Sequence, residues 1–128
     1  MAYYNSKPVA YTFDEAISKV TEELKKEEFG VLTEIDVKET LKKKLDVDFR
    51  KYKILGACNP PNAYKALSME ENIGVLLPCN VIVQEKAEGK VHVSVVNPME
   101  SMQAVNNPAL GEVAQTVSDK LKKVLENL

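Results

Sequence analysis

Residues 52–61 read Tyr52-Lys53-Ile54-Leu55-Gly56-Ala57-Cys58-Asn59-Pro60-Pro61, and residues 73–83 read Ile73-Gly74-Val75-Leu76-Leu77-Pro78-Cys79-Asn80-Val81-Ile82-Val83. Both cysteines of the chain lie in these two apolar segments, and an asparagine follows each. Tyr52 to Ala57 is short, apolar and stopped by an Asn-Pro pair, which predicts a strand. Asn59 suits a helix N-cap and Pro60 the first helical position, so a short helix is expected directly after Cys58. Its inner face is expected to carry Ala63, Tyr64 and Leu67. The longest strand is expected from about Gly74 to Glu85. Its alternate residues Val75, Leu77, Cys79, Val81 and Val83 form one apolar face, with Leu76, Pro78, Asn80, Ile82 and Gln84 on the other.

Upstream, Ala2 to Val9 carries Pro8, which suits an edge strand. Thr12-Phe13-Asp14-Glu15 is a capping box, and Phe13, Ala16, Ile17, Val20 and Leu24 repeat at helical spacing to about Glu28. Gly30 is placed to close that helix in the left-handed conformation. Val31 to Ile35 predicts a second strand. Asp36 and Glu39 repeat the capping pattern ahead of a helix from Val37 to about Leu45. Downstream, Ala87 to Lys90 is a hairpin loop, and Val91, Val93 and Val95 form a fifth strand with His92 and Ser94 opposite. Asn97-Pro98 ends it, and Met99 to Val105 is expected as a loose helical turn. Asn107-Pro108 opens a last helix striped by Leu110, Val113, Ala114, Val117, Leu121, Val124, Leu125 and Leu128. One antiparallel sheet with two long helices on its apolar face buries both stripes. The expected class is therefore α+β, two-layered, in the order β-α-β-β-β-β-α with short helices inserted.

The chain has 128 residues, a length that makes one domain over residues 1–128 and buries roughly two-thirds of the unfolded surface. A net charge of -2 gives no basic face, and nearby glutamates answer the lysine clusters, so no nucleic-acid partner is expected. No apolar run reaches the ~18 residues that cross a bilayer, so no membrane partner is expected. The N-terminal residues lack the apolar core of a signal peptide, which points to the cytoplasm and to reduced thiols. The two cysteines, 21 positions apart, fit no zinc-finger or Cys-x-x-Cys spacing.

Three segments carry a resemblance to a known family. They are Phe29-Gly30-Val31-Leu32-Thr33-Glu34-Ile35-Asp36-Val37, Ile54-Leu55-Gly56-Ala57-Cys58-Asn59-Pro60-Pro61 and Gly74-Val75-Leu76-Leu77-Pro78-Cys79-Asn80-Val81. In this order they resemble the bacterial and archaeal family called domain of unknown function 302, over nearly the whole chain. For fold, the resemblance implies the TATA-box-binding-protein-like class, and for assembly a homodimer. It implies no activity, and a shared fold does not by itself argue for DNA binding.

The candidate site residues are Cys58, Asn59, Cys79 and Asn80. Cys58 precedes a helix start, a position that lowers thiol pKa values and gathers anions where amides are free. Cys79 meets Cys58 if their strands are antiparallel neighbours. Asn80, polar within an apolar strand, needs a partner if buried. Three functions remain open at this level. The first is a homodimeric module binding a small ligand or anion near these four residues. The second is a thiol-based redox or metal-binding protein using Cys58 and Cys79, for which a metal would need further ligands from His92, the one histidine, or from the cysteines of a dimer mate. The third is a purely structural interaction domain, in which both cysteines are small buried hydrophobes. No Gly-rich phosphate loop, Gly-x-Ser-x-Gly elbow or His-Glu-x-x-His motif is present, so no catalytic residue and no cofactor is assigned.

Overall fold

A computed structural model describes residues 2–128. The chain runs β1 (Tyr4–Val9), α1 (Phe13–Lys26), β2 (Gly30–Asp36), α2 (Val37–Leu45), β3 (Tyr52–Cys58), α3 (Pro60–Met69), a 3₁₀ turn (Ile73–Leu76), β4 (Cys79–Glu85), β5 (Val91–Val96), α4 (Pro98–Ser101) and α5 (Leu110–Glu126). The five strands form one sheet in the order β1-β5-β4-β3-β2, and every neighbouring pair is antiparallel. This is the α+β order expected from the patterns. Proline-bearing β1 lies at one edge and β2 at the other.

The long helices α1 and α5 bury their stripes against one face of the sheet. Phe13, Ala16, Val20 and Leu24 of α1 and Leu110, Val113, Val117, Leu121 and Val124 of α5 meet Leu55, Val81, Val83, Val93 and Val95. Each Val, Leu or Phe side chain so withdrawn from water contributes about 1.5–3 kcal/mol, the main term opposing chain entropy. The alternation in β4 decides which residues take part: Cys79, Val81 and Val83 are buried under the helices, whereas Asn80, Ile82 and Gln84 point the other way. On that second face Asn80, Ile82 and Gln84 line a groove with Tyr4, Ser6, Tyr52 and Ser94. Among the described residues no helix is long and apolar enough to cross a membrane.

Local signals account for most element ends. At α1 the Glu15 N–H donates to Thr12 Oγ1 at 3.2 Å and the Thr12 N–H donates to Glu15 Oε1 at 2.9 Å. At α2 the Glu39 N–H donates to Asp36 Oδ1 at 3.0 Å. Three expectations fail.

The first concerns Gly30, which does not close α1. Glu28 takes the left-handed conformation at φ 68°, while Gly30 already pairs with Cys58 in β2. The Phe29 N–H donates to Leu24 O at 2.9 Å and the Glu28 N–H to Lys25 O at 3.0 Å, the paired bonds of a Schellman ending. Burial of Phe29 against Leu24 and the core outweighs the modest cost of a left-handed glutamate.

The second failure is the start of β4. Residues 73–76 coil into a 3₁₀ turn, the Leu77–Pro78 bond is cis, and the strand begins only at Cys79. Cys79 pairs with Ala57, one residue from the end of β3, so an earlier start would leave the backbone without a neighbour to bond. Val75, assigned to the apolar face, is instead 86% exposed.

The third is the phase of α3. Asn62 and Ala66 are its buried residues, while Tyr64 and Leu67 are exposed. The helix is turned by one residue from the expected face, because its cap at Asn59 is tied down elsewhere, as described next.

Candidate functional site

The end of β3, the start of β4, α3 and the middle of α5 enclose a cavity of about 310 Å³. Cys58, Asn59 and Cys79 line it together with Phe29, Asn62, Ala66, Pro78, Met102, Val113 and Val117. Asn80 does not. Alternation sends it to the opposite face, where it is exposed and lines the groove beside Tyr52 and Ile82. Of the four residues singled out in the sequence, three share a cavity and one belongs to a different surface.

Asn59 is the organising side chain. It is 5% exposed, and its Nδ2 donates to the Glu27 carbonyl at 3.0 Å, tying α3 to the end of α1. Its Oδ1 accepts from the Asn62 N–H at 3.3 Å and from Asn62 Nδ2 at 3.0 Å. The chain of bonds fixes both amide orientations. Because the Glu27 carbonyl can only accept, Asn59 Nδ2 must face it, and Asn62 must turn its own amine toward Asn59. Asn62 Oδ1 is left over. Asn62 is 8% exposed, and among the described residues no fully enclosed side-chain oxygen lacks a partner. The Asn62 oxygen is therefore not fully enclosed, and the residue that carries it lines the cavity.

The same bonds answer the anion expectation. A helix start attracts anions through amides that have no internal partner. In α3 the first two helical residues, Pro60 and Pro61, have no N–H, Asn62 is capped by Asn59, and the Ala63 N–H donates to Asn59 O at 2.8 Å. No amide is free, and no Lys, Arg or His lines the cavity. The site is uncharged and offers an anion nothing.

Both cysteines are free thiols. Burial, with a smaller contribution from the neighbouring Cys58, pushes the Cys79 thiol up to about 11, so it stays protonated at neutral pH. His92 pairs with Gln84 on β4, five residues beyond Cys79 and about 16 Å along the strand. Among the described residues no three His, Cys, Asp or Glu side chains stand close enough to hold a metal ion.

Gly56, two residues before Cys58 and opposite Asn80, is what lets the strands close at this end. It faces Thr33 on one side and Asn80 on the other, and a Cβ there would overlap Thr33 Oγ1 and come within 2.8 Å of Pro78 Cγ. Asn62 was visible in the sequence as the residue three past the cap, in position for the bond it makes. Phe29, Met102, Val113 and Val117 carried no such signal, since only the packing of distant segments brings them here.

Fold and site together define a small two-layer α+β protein with an uncharged, mainly apolar cavity at one end of its sheet. The chain belongs to the family described as Domain of unknown function DUF302, whose model matches residues 5–128. Among solved structures it is similar to the crystal structure of an uncharacterized conserved protein DUF302 from Bacillus stearothermophilus. The two are 31% identical, with a TM-score of 0.92 and 98% of each chain covered. Comparison with curated proteins gave no match.

Proposed function

We propose that this chain is a single-domain, homodimeric binding module that holds a small molecule in the cavity bounded by Cys58, Asn59, Asn62 and Cys79. The cavity itself carries the reading. At about 310 Å³ it falls at the lower end of the sizes at which ligand sites occur, and a few convergent polar groups interrupt apolar walls. Asn62 stands in the site where Asn80 does not, and α3 has no free amide to offer an anion. Edge strand β2 exposes Leu32 and Ile35, an apolar edge of the kind that a second copy would cover. Free thiols and a low net charge suit a reducing cytoplasm and a partner other than nucleic acid.

A fragment panel read by thermal shift tests the proposal, using the wild type and Ala63→Phe, which fills the mouth of the cavity. At least one neutral fragment should raise the wild-type melting temperature by several degrees and leave the filled variant unmoved. Phosphate and sulfate should give no shift that distinguishes the wild type from the filled variant. If no fragment moves the wild type, the ligand reading is wrong.

The second reading, thiol redox chemistry, rests on the placement of Cys58 and Cys79 around one cavity. Suppressed ionisation at Cys79 weighs against it, since the thiolate is the reactive form. Formation of a Cys58–Cys79 disulfide under mild oxidant, detected by mass, would favour it over ligand binding.

A further inference from the structure

The chemistry of the cavity wall narrows the occupant, provided that the cavity is a ligand site as proposed above. Three features converge. No charged side chain lines the wall, and the helix start beside it has no free amide, so a charged ligand would lose its hydration without compensation. Three sulfur-bearing residues, Cys58, Cys79 and Met102, share the cavity with Phe29, and polarisable sulfur favours the edges of aromatic rings. One acceptor has no partner within the protein and is open to a ligand or water: Asn62 Oδ1, on a residue 8% exposed, held in orientation by Asn59 and Glu27. A buried amide oxygen gains from a donor and loses when it faces apolar atoms alone.

We infer that the cavity takes an uncharged aromatic molecule of one or two rings that donates an N–H or O–H to Asn62 Oδ1. The ring lies among the sulfurs and Phe29, and the donor end points toward the start of α3. Half-buried Cys58 and exposed Leu67 lie on the side open to solvent, so substituents on the far end of the ring project that way.

The test uses the reduced full-length chain and three probes: indole, which has the N–H; benzothiophene, of the same shape without it; and benzoate, aromatic but charged. The readout is the methionine methyl spectrum. Met102 lines the cavity whereas Met69 and Met99 do not, so ring-current shifts at Met102 alone report entry. Indole should shift Met102 and bind about three- to tenfold tighter than benzothiophene, the span of one net hydrogen bond. Benzoate at the same concentration should leave Met102 in place. In Asn62→Leu the advantage of indole over benzothiophene should vanish. Should that variant not fold, the wild-type comparison of the two isosteres decides alone. Equal binding of indole and benzothiophene to the wild type overturns the donor assignment. Benzoate binding as well as indole overturns the uncharged class while leaving the cavity a ligand site. If none of the three moves Met102, the aromatic class falls; a neutral aliphatic fragment that still shifts the wild-type melting temperature would then show that the ligand reading survives it.

Discussion

The two Cys-Asn pairs are identical in letters and opposite in role. Cys58-Asn59 ends a strand, and there the backbone turns away, so Asn59 swings inward, becomes 5% exposed and makes three hydrogen bonds. Cys79-Asn80 begins a strand, and there the two-residue alternation applies at once. Cys79 goes under the helices and Asn80 goes to the opposite face. The same dipeptide thus gives a structural hub in one place and a surface residue in the other. What separates them is whether a neighbouring strand continues to bond the backbone beyond the cysteine.

The glycine just before the first pair and opposite the second gives the largest expected effect. Gly56→Val places a branched side chain against Thr33 and Pro78, and both neighbours belong to the closed end of the sheet. Overpacking of this kind costs about 3 kcal/mol or more, which should appear as a collapse of the urea midpoint or as insoluble protein. A Gly56→Val protein as stable as the wild type would show that Thr33 and Pro78 can give way here, which would undo the account of the close approach at Gly56.

Next comes the contrast between the asparagines. Asn59→Ala leaves the Glu27 carbonyl and both Asn62 donors without their partner, for a loss of about 2–4 kcal/mol. Asn80→Ala should change stability by less than about 0.5 kcal/mol, as expected of an exposed position. Equal losses in the two variants, measured by chemical denaturation, would mean that the pairs are equivalent after all.

The cysteines differ in the alkaline range. Burial raises the Cys79 thiol from an ordinary 9.0 to about 11, so the folded protein holds this proton more tightly than the unfolded chain does. The stability that this supplies is complete below pH 9 and is lost as pH rises through 11, about 2–3 kcal/mol in all. Cys79→Ala should flatten that decline relative to the wild type, whereas Cys58→Ala, which removes only the smaller contribution, should leave most of it in place. Parallel pH profiles for the wild type and Cys79→Ala would contradict the burial argument.

The smallest effect is kinetic. At pH 8 only roughly one Cys79 in a thousand is ionised in the folded state, so iodoacetamide should label half-buried Cys58 first, and Cys79 fully only after denaturation. Peptide mass mapping over time checks the order.

The strands and long helices were legible because their signals are local. The Thr12-Glu15 capping box, the α1 and α5 stripes and the alternation from Cys79 to Glu85 follow from neighbours within a few residues. The failures occurred where a distant segment intervened. Gly30 looked like a helix ending, yet the core drew in Phe29 and left Glu28 to turn. The run from Gly74 looked like strand, yet β3 stops at Cys58 and offers no partner there. Tyr64 and Leu67 looked inward, yet Asn59, anchored to Glu27, set the phase of α3 and chose Asn62 instead.

The sequence by itself determined the class of fold, the order of elements and the special character of the two cysteine segments, because propensity, capping and hydrophobic period act over one or two turns. Only the tertiary structure decided which of the paired residues share a site. Asn80 left it, and Asn62, Phe29 and Met102 entered, because membership of a cavity depends on which strand ends where and on the bonds that remain for a buried amide. Those are properties of the assembled sheet, and no stretch of the chain read alone contains them.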